Sequence, residues 1–173
     1  MTFKSKSIGL VILLFGISRV YAESGVAKVS GTSAALTIEG TVLFTDTAQG
    51  LKVSAQLSGV PAGPHGFHIH EFGSCDDTGK AAGSHYNPGN VPHGMVMKDG
   101  LQHAHAGDLG NITAGTDGKA ALDTVIAGVT LSGGQFTVGG RAVILHEKAD
   151  DFSQPVGNAG SRIGCGQIHI TGK

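Results

Sequence analysis

Two of the nine histidines in this chain of 173 residues, His68 and His70, stand two apart in Gly66-Phe67-His68-Ile69-His70-Glu71-Phe72-Gly73-Ser74-Cys75. Alternation with Phe67 and Ile69 is the pattern of a strand, where residues two apart share a face. Both imidazoles then converge on one side, which makes half of a metal site. Further along, His85, His93, His105 and Asp108 have enough chain between them to wrap an ion, with His105 and Asp108 as a local pair. Three imidazoles and one carboxylate complete a tetrahedron, the closed arrangement of a structural zinc site. His68, His70 and His146 as a set of imidazoles suit copper, zinc or iron. Residue types and spacing thus give one or two metal sites and leave the reaction open. Met95, Met97 and His103 offer donors that copper(I) accepts, although loop packing is the simpler role. His65 and His169 have no partner pattern and read as incidental.

The elements that position these side chains read as strands. Alternating, β-branched patterns occur at Ala27–Ser30, Leu36–Phe44, Gly50–Leu57, the stretch holding His68 and His70, Lys119–Ile126, Gln135–Val138, Arg141–Glu147 and Arg162–Ile170. Pro61-Ala62-Gly63-Pro64 reads as a turn. The 29 glycines follow no collagen-like period and fit turns and bulges between short strands. With no convincing helix, this predicts an antiparallel sandwich or Greek-key barrel. From Gly73 to about Asp117 the periodicity fails. A structureless stretch this long in a compact domain is either functional or wrongly assigned; its histidines favour function, and a metal with a disulfide would hold it in place of a hydrophobic core. A second polar loop is expected over 148–161.

Lys4 and Lys6, the apolar run Ile8–Ile17 and the small residues around Val20-Tyr21-Ala22 form a secretory leader pattern, with cleavage expected after Ala22. The run is short for a bilayer span, so an N-terminal anchor is the weaker alternative. Residues 1–22 are then a signal peptide and 23–173 one domain. Losing Lys4, Lys6 and Arg19 takes the net charge from −1 to about −4. No basic run points to nucleic acid, and no second apolar segment points to a membrane after signal removal. In a secreted protein Cys75 and Cys165, the only cysteines, are expected to form one intramolecular bridge, two free thiols being the alternative.

Five segments resemble the copper/zinc superoxide dismutase family, in order and over essentially all of 23–173. They are Gly66–Gly73, Gly83-Ser84-His85-Tyr86-Asn87-Pro88, His105-Ala106-Gly107-Asp108-Leu109-Gly110-Asn111, His146-Glu147-Lys148-Ala149-Asp150-Asp151 and Gly157–Gly166. The resemblance implies an eight-stranded antiparallel Greek-key β-barrel, an immunoglobulin-like sandwich, with long metal-binding and active-site loops. It implies copper on His68, His70, His85 and His146, and zinc on His85, His93, His105 and Asp108. His85 would be a bridging imidazolate, a species that two cations stabilise, and would also deliver a proton. Asp150 would link His68 to His93, Cys75 would pair with Cys165, and Arg162 would attract the substrate. The implied reaction converts two superoxide anions and two protons to dioxygen and hydrogen peroxide. A periplasmic or secreted homodimer is expected.

The chain departs from the pattern in places. The 148–161 loop is short and poor in steering charges, and Val156 stands where the family commonly has threonine or serine. Asn111-Ile112-Thr113 fits a glycosylation sequon but falls inside a motif and reads as a turn. A copper chaperone or storage protein is the main rival, yet the chain keeps His68, His70, His85, His146 and Arg162. An adhesion module would not need such a donor set.

Overall fold

A computed structural model describes residues 22–172. All but the last residue of the expected leader lies outside the described residues. Among them, eight strands form one closed antiparallel barrel: β1 (Ser24–Gly31), β2 (Glu39–Thr47), β3 (Gly50–Ser58), β4 (Gly63–His70), β5 (Asp108–Ala114), β6 (Ala120–Ile126), β7 (Ala142–His146) and β8 (Arg162–Gly172). Their order around the barrel is β1-β2-β3-β6-β5-β4-β7-β8, with β8 pairing back onto β1. The β3–β4 and β6–β7 connections each jump two strands, which gives the Greek-key path.

The alternation in β1 to β3 is that of a half-buried sheet. Ala27, Val29, Val42, Phe44, Leu51, Val53, Ala55 and Leu57 point into the barrel core, while Lys28, Leu43, Lys52 and Gln56 face out. Each fully buried large apolar side chain contributes about 1.5–3 kcal/mol. In β4 and β7 the alternation ends, because both faces are covered. Phe67 and Ile69 enter the core, whereas His68 and His70 are buried on the outer side beneath the loops. The chemistry therefore sits outside the barrel, between the wall and two long loops.

Two strand expectations need correction. Asp108–Ala114 is a strand, β5, inside the stretch expected to be loop. It carries Gly110 at a positive φ and the polar Asn111, which hide the alternation. Consequently Asn111-Ile112-Thr113 is strand, not turn. Gln135–Val138 is no strand; only an isolated bridge joins Thr130 and Thr137. The turn expected at Pro61–Pro64 gives way to β4 from Gly63 onward. Two short helical pieces also occur, a 3-10 turn at Lys80–Ala82 and α1 at Val96–Asp99.

The long loop has its own apolar anchorage, contrary to expectation. Tyr86, Val96, Ala104 and Ala106 join the main core. The Arg141 guanidinium lies 3.5 Å from the Tyr86 ring centre and donates to the Glu71 and Thr137 carbonyls. Cys75 and Cys165 are bonded, 90 residues apart in sequence, and tie the start of the loop to β8.

Candidate metal centre

His68 and His70 leave the outer face of β4 with ring centres 6.4 Å apart. His85 arrives from the long loop, where a lone bridge pairs it with His70, and its ring centre is 4.0 Å from that of His68. His146 ends β7 at a shift in the β7–β8 register, and its Nε2 is 3.4 Å from His70 Nε2. One donor atom from each of His68, His70, His85 and His146 falls within 4.8 Å of every other. A second group meets the same limit, His85, His93, His105 and Asp108, and all of its members are buried. His85 belongs to both.

In His68, His70 and His146 one ring nitrogen is held by an oxygen outside the donor groups, which fixes orientation and tautomer. His70 Nδ1 donates to the Gly83 carbonyl at 3.0 Å, and His146 Nδ1 to that of Gly160 at 3.3 Å. Asp150 takes His68 Nε2 at 2.8 Å and His93 Nε2 at 3.0 Å, so one carboxylate joins the two groups. Asp108 accepts from His85 Nδ1 at 2.8 Å, from His93 Nδ1 at 2.8 Å and from His105 Nδ1 at 3.2 Å. The Gly94 and His105 amides add two further bonds to it.

Charge follows from this arrangement. Burial pushes His85 down to about 4 and His146 to about 3, with neighbouring His68 adding repulsion in both cases. Burial, then His85, holds His70 well below the usual range. Their lone pairs are free at neutral pH. For His93 burial also acts downward, but the Asp108 and Asp150 carboxylates outweigh it and raise the ring to about 9. Burial would raise the carboxyls of Asp108 and Asp150, yet their imidazole donors hold both well below the ordinary carboxylate range.

The donor set fits two cations. His68 Nδ1 is buried with no hydrogen-bond partner, a cost of about 1–3 kcal/mol that a bound cation would remove. Four imidazoles suit copper, and three imidazoles with one carboxylate suit zinc.

A cavity of about 270 Å³ opens over the four-histidine group, lined by His70, His85, His146, Val156, Asn158 and Arg162 among others. Arg162 donates through both terminal nitrogens, to the Gly79 and Gly83 carbonyls, each at 2.5 Å. Gly83 therefore orients both His70 and Arg162 through one oxygen. Only glycine suits this position, at φ 75°, since a Cβ would come within 2.7 Å of the Phe72 ring and the Glu71 carboxylate. A neighbouring cavity of about 400 Å³ shares Gly160 and Arg162 and adds Thr78, Lys80 and Ser161. A groove of about 410 Å³ at Gly40, Leu57 and Ala120 is comparably large, but its strands carry none of these donor side chains.

Residues 38–168 match copper/zinc superoxide dismutase as a family. The chain belongs to that family. It is 40% identical over 136 residues to the extracellular superoxide dismutase [Cu-Zn] of Caenorhabditis elegans, a match covering 75% of this chain. The match spans only 60% of that relative's length. The solved structure of the clock protein EA4 superposes with a TM-score of 0.74 at 36% identity, over 86% of this chain and 94% of that one.

The structure brings together every dismutase-type donor expected from sequence, with Asp150 and Arg162 beside them. Met97 packs on the core, Met95 lies against Gly110, and His103 is exposed. Three supporting residues were not legible. His65 is buried, with ring nitrogens 2.9 Å from the His146 carbonyl and 2.8 Å from that of Pro61, and buttresses a donor-bearing strand end. Asn111 donates to the Asp150 carbonyl and accepts from its amide. Gln154 does the same for the backbone of His93. Only Asn111, through its motif, carried any sequence signal.

Proposed function

We propose that residues 23–173 form a secreted superoxide dismutase, exported to the periplasm or beyond the cell after cleavage following Ala22. The observation that carries this reading is the pair of buried donor groups sharing His85 beneath an arginine-lined cavity. His68, His70, His85 and His146 would hold copper; His85, His93, His105 and Asp108 would hold zinc. Copper would supply the one-electron chemistry that turns two superoxide anions and two protons into dioxygen and hydrogen peroxide, which zinc does not.

The chain's own residues supply the rest. Arg162 keeps a permanent positive charge beside the cavity and is fixed from behind by the Gly79 and Gly83 carbonyls, so a small anion meets a preset guanidinium. His85 Nδ1 is committed to the Asp108 side, which leaves Nε2 as the atom that holds and gives up a proton. Val156 narrows the cavity with an apolar wall. The short 148–161 loop offers little steering charge, and Lys80 in the adjoining cavity takes that role.

For the homodimer, the supporting surface is apolar. Phe72 is 59% and Ile170 44% exposed, and Gly139-Gly140 lies between them, against Ile170 on one side and Gly73 on the other. Mass in dilute solution before and after Phe72→Glu tests it, and an unchanged dimer discards that face. For the activity, protein carrying both metals should consume superoxide faster at low salt than at high salt. Bound copper without consumption would make this a storage or delivery protein.

A further inference from the structure

The segment from Asp151 to Gly157 touches His93 in more ways than ligand geometry requires. Gln154 Oε1 accepts the His93 amide at 3.0 Å, and Gln154 Nε2 donates to the His93 carbonyl at 2.9 Å. One side chain thereby satisfies both backbone groups of a single residue 61 positions away. Phe152 approaches from the ring side, stacked on the His93 imidazole at 6.3 Å and 19°. Its backbone is left-handed, with φ 59°, a conformation that a bulky residue keeps only where its surroundings hold it. What holds it is the Asp150 carboxylate, which accepts the Phe152 amide at 2.8 Å. Gly157 lets the segment close, because a Cβ there would collide with Asp150 Oδ1 and crowd His93 Nε2. Beside the ring stack lies a cavity of about 340 Å³ lined by His93, Gly94, Met95, Lys98, Asp99 and Phe152.

We propose that Gln154 and Phe152 are positioning residues that clasp His93, so that docking of the short 148–161 loop sets how fast the three-histidine group gives up its cation. The inference rests on the assignment of zinc to that group. His93 belongs to the long loop and is not on a strand, so its backbone is fixed by these side-chain bonds instead of a ladder. Loss of the clasp frees the ring to swing from Asp108 toward the cavity. Partners of this kind change metal affinity by about 10–100-fold.

The test uses the full chain loaded with copper and zinc, and compares wild type with Gln154→Met and Phe152→Gly. Methionine fills the space of glutamine without its two backbone bonds, and glycine suits the left-handed φ while removing the ring. Zinc transfer to a chromogenic chelator is expected to quicken on the order of tenfold in each variant, with copper content unchanged. In metal-free protein, amide exchange at His93 is expected to rise in Gln154→Met while β5 and β7 stay protected. Zinc transfer at the wild-type rate in both variants overturns the proposal. So does a loss of protection spread across β5 and β7, which marks general destabilisation. A wild-type chain that takes up no zinc defeats the zinc assignment, while the exchange at His93 still reads the clasp by itself.

Discussion

Replacing Asp150 with asparagine perturbs both donor groups through one atom exchange of nearly equal volume. The carboxylate accepts from His68 Nε2 at 2.8 Å and from His93 Nε2 at 3.0 Å, and is almost fully buried. Bonds to a charged acceptor are worth about 1.5–3 kcal/mol and neutral ones about 0.5–1.5. An asparagine can present its oxygen to one imidazole, but its amide nitrogen then faces the other. One bond is weakened and one is lost, at about 1–3 kcal/mol in total, which corresponds to about 10–100-fold in metal affinity. The larger share should fall on His93, because its Nε2 lies 3.0 Å from both carboxylate oxygens of Asp150 whereas His68 meets only one. Competition against chelators of known affinity, read separately for copper and zinc, measures this. Asp150→Asn should weaken zinc by at least tenfold and copper by less, with the barrel folded. Unchanged zinc affinity would refute the reasoning, as would a loss confined to copper.

Other consequences follow from the same geometry. Arg162→Ala should keep both metals and lower kcat/KM by about 10–100-fold, and Lys80→Glu should lower it less and flatten its dependence on salt; unchanged kinetics at low salt would remove either residue from substrate capture. His93 is protonated at pH 7 in the metal-free chain and must lose that proton to bind a cation, so zinc uptake should release about one proton there and less as pH rises past 9. Its raised value also means that His93 stabilises the metal-free fold below about 6.5, and that this stability fades as pH rises through about 9. His85 and His146 act on the acid side, lowering stability as pH falls from about 6.5 toward about 4 and about 3. Zinc uptake without proton release in weak buffer at pH 7 contradicts this. Reducing Cys75–Cys165 reopens a 90-residue loop, a loss of about 4–5 kcal/mol and about 10–15 °C in Tm. A calorimetric shift below about 3 °C would show that the apolar anchorage of the loop suffices alone.

Much of the donor set was legible because ligand chemistry leaves few choices. Imidazoles two apart on a strand must share a face, and the motif residues around His85, His105 and His146 occur in family order. Strands with one wet face, β1 to β3 and β6, were legible from alternation within a few residues. One failure comes from the double burial beside the site. β5 looks like loop because Asp108 and Asn111 serve the metal centre and the 148–161 loop instead of water. His65 and Gln154 stayed hidden because their partners are backbone groups of residues far away in sequence, and any residue has a carbonyl. Val138 is apolar without being part of a strand, since the core takes a loop side chain as readily.

The most direct measurement follows superoxide decay by stopped-flow or pulse methods, with metal content determined on the same samples, for wild type and His146→Ala. Wild type should hold one copper and one zinc per chain and consume superoxide. His146→Ala should retain zinc on His85, His93, His105 and Asp108, lose or weaken copper, and lose activity. Wild-type chains that carry both metals and leave superoxide to its spontaneous decay would contradict the proposed function, as would undiminished activity after His146→Ala.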